Sequence, residues 1–167
     1  MTTTEYYIQK YSSKGVILDT NLLILYLVGS YDKNNIKKFK RTHSFEIEDF
    51  KFIASLLKFF RNIVVTPQIL AEISNFTFEE TTPDFSSYFT NAINWLQKTN
   101  EKYFHKNDLL PIPCLANIGF TDLTIIEASK NKRLLVLTDD GSLCSFLTSF
   151  DCDFINLNHI RGERWKK

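Results

Sequence analysis

Residues 15–28 read GVILDTNLLILYLV, and this stretch decides the fold. A short apolar strand from Gly15 ends in polar Asp19 and Thr20, and the chain passes straight into an apolar helix at about residues 21–28. The same alternation recurs downstream. Ile63-Val64-Val65 is a second short buried strand, and Thr66-Pro67 then starts a helix, with Thr as N-cap and Pro at the first helical position. Arg133 to Leu137 forms a third strand, and Asp153 to Asn156 a last one, with Leu143, Phe146, Leu147 and Phe150 marking the helix between them. Phe50, Ile53, Ala54 and Leu57 predict a helix from about Glu46 to Phe60. Phe85, Tyr88, Phe89, Ala92, Trp95, Leu96, Thr99 and Tyr103 predict a long helix from about 84 to 104. Residues 105–118, with Pro111 and Pro113, read as a loop, and Gly119 opens a helix to about Asn131. Short buried strands alternating with helices imply an α/β three-layer sandwich: a central, mostly parallel sheet of four to five strands flanked by helices.

Composition sets the outer bounds. The chain has 167 residues, 44% hydrophobic and 14% aromatic, with only 5 Gly and 4 Pro. That suits one domain spanning 1–167 and excludes a disordered or linker-rich chain. The charge balance, 20 Lys plus Arg against 19 Asp plus Glu, argues against coating nucleic acid by bulk charge but not against gripping it locally. Cys114, Cys144 and Cys152 include no CxxC pair, which speaks against a disulfide framework or a Cys-rich zinc site. The first residues show no secretory h-region, and the longest apolar run, Leu22 to Val28, is far shorter than the roughly 20 residues of a membrane span. A cytoplasmic protein with no membrane partner is expected.

Ligands of open α/β sheets bind beyond the carboxyl ends of the strands, and four acidic positions, the last an Asp pair, belong near that edge. Asp19 ends the first strand, and Glu72 lies in the helix after the second. Asp122 begins the helix before the third strand, and Asp139 and Asp140 follow that strand directly. Singly, Asp122, Asp139 and Asp140 suit helix N-termini, and Glu72 suits an exposed helix face. Asp19 interrupts an apolar run and is harder to explain by capping alone. Clustered carboxylates repel one another unless a cation neutralises them, and an all-oxygen donor set suits Mg²⁺ or Mn²⁺.

Four segments in order, VILDTN at 16–21, TPQILAEIS at 66–74, FTDLTIIEAS at 120–129 and LLVLTDD at 134–140, resemble the PIN-domain nucleases, the family that includes VapC-type toxins. The resemblance covers most of the chain and is weakest over residues 30–60 and 77–115. It implies a Mg²⁺- or Mn²⁺-dependent endoribonuclease whose metal-holding, catalytic acids are Asp19, Glu72, Asp122 and Asp140, with Asn21, Thr138 and Asp139 in support. Ser142 stands where many members carry a further acid, which bears on whether one or two ions bind. The resemblance also implies hydrolysis of RNA to 5′-phosphate and 3′-hydroxyl ends. A toxin role, with an antitoxin protein as partner, follows from the family alone. A homodimer built on the aromatic helix is a further expectation.

The basic segment at about 31–45 supplies Lys33, Lys37, Lys38, Lys40 and Arg41 against Asp32, and the tail 161–167 supplies four cations against Glu163. Lys37, Lys38, Lys40 and Arg41 are the candidate RNA contacts, and Tyr31, Phe39, His43 and Phe45 are candidates to stack on bases. A solvated charged face explains the basic runs equally well, and core packing is the more usual role of the aromatics. Subtracting both basic stretches leaves a net acidic remainder, so neutrality is a sum of segregated parts. His43, His105 and His159 are isolated, and no phosphate-binding glycine loop is present. A haloacid dehalogenase-type phosphatase would need a second Asp where Asn21 stands. A catalytically weak or inactive PIN-like module that binds RNA or protein is the non-enzyme alternative.

Overall fold

In the computed structural model, which describes residues 2–78 and 85–164, the chain begins with α1 (Thr3–Tyr11), β1 (Val16–Leu18) and α2 (Thr20–Tyr31). α3 (Ile47–Leu57), β2 (Ile63–Val65), α4 (Pro67–Phe78), α5 (Phe85–Leu96) and β3 (Asn100–Glu101) follow. The C-terminal half comprises α6 (Lys106–Leu109), α7 (Leu115–Ser129), β4 (Leu135–Thr138), α8 (Gly141–Ser149), β5 (Phe154–Asn156) and α9 (Leu157–Arg164). The five strands form one sheet in the order β3-β2-β1-β4-β5. Every pairing is parallel, with Ile17 opposite Val64 on one side and Val136 on the other. This is the expected α/β sandwich. Helix contacts fall into two groups, α2 with α3, α4 and α5, and α7 with α4, α6 and α8.

β1 lies at the centre and is apolar throughout because no face of it meets water. α2 is apolar nearly all round for the same reason: it is enclosed, with only Asn21 and Tyr26 part-exposed and Ser30 and Tyr31 towards its end. Its closest neighbour is α3, where Gly29 leaves room for the Phe50 ring; a Cβ there would sit 2.4 Å from a ring carbon. At the other end of β1, Gly15 takes φ +120°, and a Cβ would meet the Asn62 carbonyl oxygen at 2.7 Å.

Several boundaries differ from the sequence reading. The long helix expected over 84–104 ends at Leu96, and the chain turns into the edge strand β3, so Thr99 and Tyr103 leave the helical face; residue 84 lies outside the described residues. β3 is two exposed polar residues, paired with Val64 and Val65 through the backbone, and the Asn100 side chain also donates to Asn62 Oδ1 at 3.2 Å. The expected loop at 105–118 contains α6 and the start of α7. Gly119, at φ +78°, breaks α7, and a fresh helical stretch begins beyond it, which is how Asp122 comes to lie near a helix start. α1 and α9 lie outside the elements expected from the sequence. The basic segment 31–45 is packed rather than trailing: Ile36, Phe39 and Phe45 are buried, and the Thr42 hydroxyl donates to the Ile36 carbonyl at 2.6 Å. Phe39 and Phe45 are therefore core, not stacking platforms for bases. Among the described residues no helix is long and apolar enough to cross a membrane.

Candidate acidic site at the carboxyl edge of the sheet

With the order 3-2-1-4-5, chain connections leave in opposite directions from β1 and β4, and a crevice forms beyond their carboxyl ends. A cavity of about 180 Å³ opens there, lined by Asp19, Thr20, Asn21, Arg41, Glu72, Phe76, Asp122, Asp140 and Leu143. The four acids expected to share a site do share this cavity.

Asp19 is the first residue past β1 and the N-cap of α2. Its Oδ1 accepts the Leu22 N–H at 2.9 Å, and its Oδ2 accepts the Asp139 N–H at 3.2 Å. Only 5% of the residue is exposed. Burial first, and then the neighbouring Asp139, push its pKa up to about 7, although hydrogen bonds from Thr138, Leu22 and Asp139 pull the other way. Asp122 is pushed up to about 6, chiefly by burial and then by Asp140 and Glu72. Asp140 caps α8, its Oδ1 accepting the Ser142 and Leu143 N–H groups at 2.6 and 3.2 Å, while its own N–H donates to the Thr138 hydroxyl at 2.9 Å.

Glu72 is held by two residues that the sequence reading did not single out. The Thr20 hydroxyl donates to Oε2 at 2.6 Å, and the Thr121 hydroxyl donates to Oε1 at 2.7 Å. A buried contact of 3.0 Å between the Thr66 and Thr124 hydroxyls ties the start of α4 to α7, the helices that carry Glu72 and Asp122. A threonine at a helix start reads as a cap, so its service to a distant carboxylate leaves no trace in sequence.

Of the supporting residues, Asn21 lines the cavity and Thr138 anchors both Asp19 and Asp140 from the end of β4. Asp139 stands behind Asp19 rather than in the cavity. Its pKa is raised by burial, with Arg161 opposing, and its Oδ1 is buried with no hydrogen-bond partner among the described residues. Ser142 is exposed and contributes its backbone N–H to Asp140. Of the candidate RNA contacts, only Arg41 lines the cavity. Lys37 is ion-paired with Glu46, and Lys38 and Lys40 are exposed beyond the cavity lining. The basic tail is also partly committed: Arg161 donates to Asp49 through Nε at 3.0 Å and Nη2 at 2.6 Å, and residues 165–167 lie outside those described.

The donor set suits a hard divalent cation, being oxygen throughout and carrying carboxyls whose charge is penalised by burial and by one another. The orphaned Asp139 Oδ1 beside Asp19 points the same way. Among the described residues, however, no three His, Cys, Asp or Glu side chains are gathered tightly enough to enclose an ion by themselves. An ion here would take one or two carboxylates and complete its shell with water or phosphate oxygens, which is the habit of Mg²⁺. No family model, no curated protein and no solved structure matches this chain.

Proposed function

We propose that the chain is a metal-dependent endoribonuclease of the PIN type, with Asp19, Glu72, Asp122 and Asp140 as its acidic centre. One observation carries the reading: four carboxylates from four separate chain segments line one cavity at the carboxyl edge of the sheet, and among the described residues none of them is ion-paired. A scaffold gains nothing from such a repulsive group, whereas a site that recruits a cation needs it.

A Mg²⁺ or Mn²⁺ ion held by Asp19, Asp122, Asp140 and Glu72, directly or through water, would supply Lewis-acid activation of water and screen the phosphodiester charge. The chain's own part is positioning. Backbone N–H groups at the starts of α2 and α8 fix Asp19 and Asp140. Thr20 and Thr121 fix both oxygens of Glu72, so its carboxylate enters the cavity in one orientation. With a pKa of about 7, Asp19 is partly protonated in the ion-free protein near neutrality, whereas Asp122, at about 6, is mostly ionised there; a bound cation would favour the ionised form of both.

The test is cleavage of varied single-stranded RNAs by purified protein with Mg²⁺ or Mn²⁺, repeated with Asp19→Asn. Absence of metal-dependent cleavage, or full cleavage by the variant, removes the mechanism. The absence of a closed three-ligand cage favours a second reading, a PIN-like module that binds RNA without cutting it; RNA binding with no metal-dependent cleavage would select it. For a toxin, expression arrests growth and a neighbouring gene product relieves the arrest.

A further inference from the structure

Building on the nuclease reading, we propose that Arg41, stacked on Phe76, is the phosphate-positioning residue of the site and grips a backbone phosphate of single-stranded RNA. The Arg41 guanidinium carbon lies 3.6 Å from the centroid of the Phe76 ring. Both residues line the acidic cavity. Stacking covers the flat face of the guanidinium and leaves its N–H edge available, the geometry that binds phosphate oxygens in a bidentate fork.

What Arg41 does not do is equally informative. It stands at the rim of a cavity with four carboxylates and forms no ion pair with Asp19, Glu72, Asp122 or Asp140. An arginine committed to neutralising these acids would have closed on one of them. This one is held apart by an aromatic ring, with its charge available to an anion that enters between it and the acids.

Its placement comes from a packed strap. Thr42, next in the chain, is completely buried and bonded to the Ile36 carbonyl, and Ile36, Phe39 and Phe45 are sunk in the core. The Lys37–Glu46 ion pair braces the outside of the same strap. The backbone that presents Arg41 is therefore fixed at its base, and Phe76 of α4 fixes the tip. The same helix carries Glu72 one turn earlier, so phosphate grip and acidic centre share one support. A cation and acids lining one cavity would hold a phosphodiester by one phosphate while the neighbouring one meets the acids.

The experiment measures steady-state cleavage of a fluorescent single-stranded RNA of mixed sequence with Mn²⁺, at several salt concentrations, for wild type, Arg41→Ala, Arg41→Lys and Phe76→Leu. It is joined by RNA binding in the Asp122→Asn background and a thermal melt of each variant. For Arg41→Ala the expected result is a KM about 10-fold higher, with the loss falling on KM rather than kcat. In the binding series the slope of log affinity against log salt should fall by about 0.7, one phosphate contact on a single strand. Arg41→Lys should keep the salt slope but recover only part of the affinity, because a point charge replaces an oriented fork. Phe76→Leu, which keeps the charge and frees its orientation, should raise KM about 3-fold. A wild type that cleaves RNA while Arg41→Ala keeps its KM and salt slope overturns the proposal and leaves the nuclease reading standing. A wild type that neither cleaves nor binds RNA removes both. A melt unchanged in Arg41→Ala, an exposed position, shows that the effect is not loss of fold.

Discussion

Asp153 and Asp19 sit at opposite ends of the same parallel sheet, and their environments are opposed. Asp153 immediately precedes β5, at the amino edge. Its two oxygens take the Lys10 ammonium at 2.6 Å, the Tyr11 hydroxyl at 2.7 Å and the Lys132 ammonium at 3.0 Å. Those bonds hold its pKa below the ordinary carboxylate value, although burial is the largest single influence and works against them. Asp19, at the carboxyl edge, has hydrogen-bond donors but no cation, and its pKa moves the other way. Burial alone does not decide the direction, since both are largely enclosed; the presence or absence of a countercharge does. One edge of the sheet carries its own countercharges, and at the other Asp19 forms no ion pair among the described residues.

The sharpest way to break this contrast is at the carboxyl edge. Asp19→Asn is expected to lower Mn²⁺-supported RNA cleavage by at least about 100-fold, roughly 2.7 kcal/mol of barrier. The check is initial rates on purified protein. Asp153→Asn should do the reverse: about 2 kcal/mol of stability lost in urea denaturation, because Lys10 and Lys132 are left facing each other, with cleavage by the still-folded fraction retained. If Asp153→Asn cost activity and not stability, the division between the edges would be wrong.

Asp122→Asn sharpens the comparison from the other side. Removing an acid disfavoured by its surroundings should stabilise the ion-free protein by about 1 kcal/mol at pH 7.5, a figure reduced for partial solvent screening, while cleavage falls. The pH profile of the ion-free protein should show both edges in turn. Asp19 and Asp122 hold protons in the folded state that they would release on unfolding, so stability falls as pH rises from about 4 to 7. Asp153 contributes stability above the ordinary carboxylate range and loses it as pH drops below 4 through its lowered folded value. Thermal melts across pH, with and without Mn²⁺, check this; the ion should flatten the decline between pH 4 and 7 and leave the acid limb unchanged. The smallest effect is expected for Thr121→Val, which frees one oxygen of Glu72 and should reduce cleavage by about 3- to 10-fold.

β1, β2 and β4 were legible because each is a short, mostly apolar run, and a strand buried on both faces needs no other signature; β5, at the other edge, showed only Phe154 and Ile155 between polar residues. β3 was not, since Asn100 and Glu101 are exposed and polar and join the sheet without burying apolar side chains. For the same reason the aromatic helix before it appeared to continue to 104. The acidic centre was legible because strand ends name the edge on which their followers fall. Its supports were not: Thr20, Thr121 and Phe76 act on residues 35 to 52 positions away, a relation that periodicity does not encode. The charge runs were the least informative part of the sequence. One cation of the first run reaches the cavity, and Arg161 of the second is spent on Asp49.

The cap on α2 ties the chemistry to the unfolding of the whole molecule. Although the Asp19 carboxylate lines the open cavity, the Leu22 amide that donates to it belongs to a residue buried in the central helix and does not reach bulk solvent through a local opening of a surface loop. Hydrogen exchange at Leu22 should therefore run at the global unfolding rate, among the slowest amides of the protein. A residue placed this way keeps its geometry for as long as the fold persists, and damage to the core anywhere along β1 or α2 will surface first as a fault in the site.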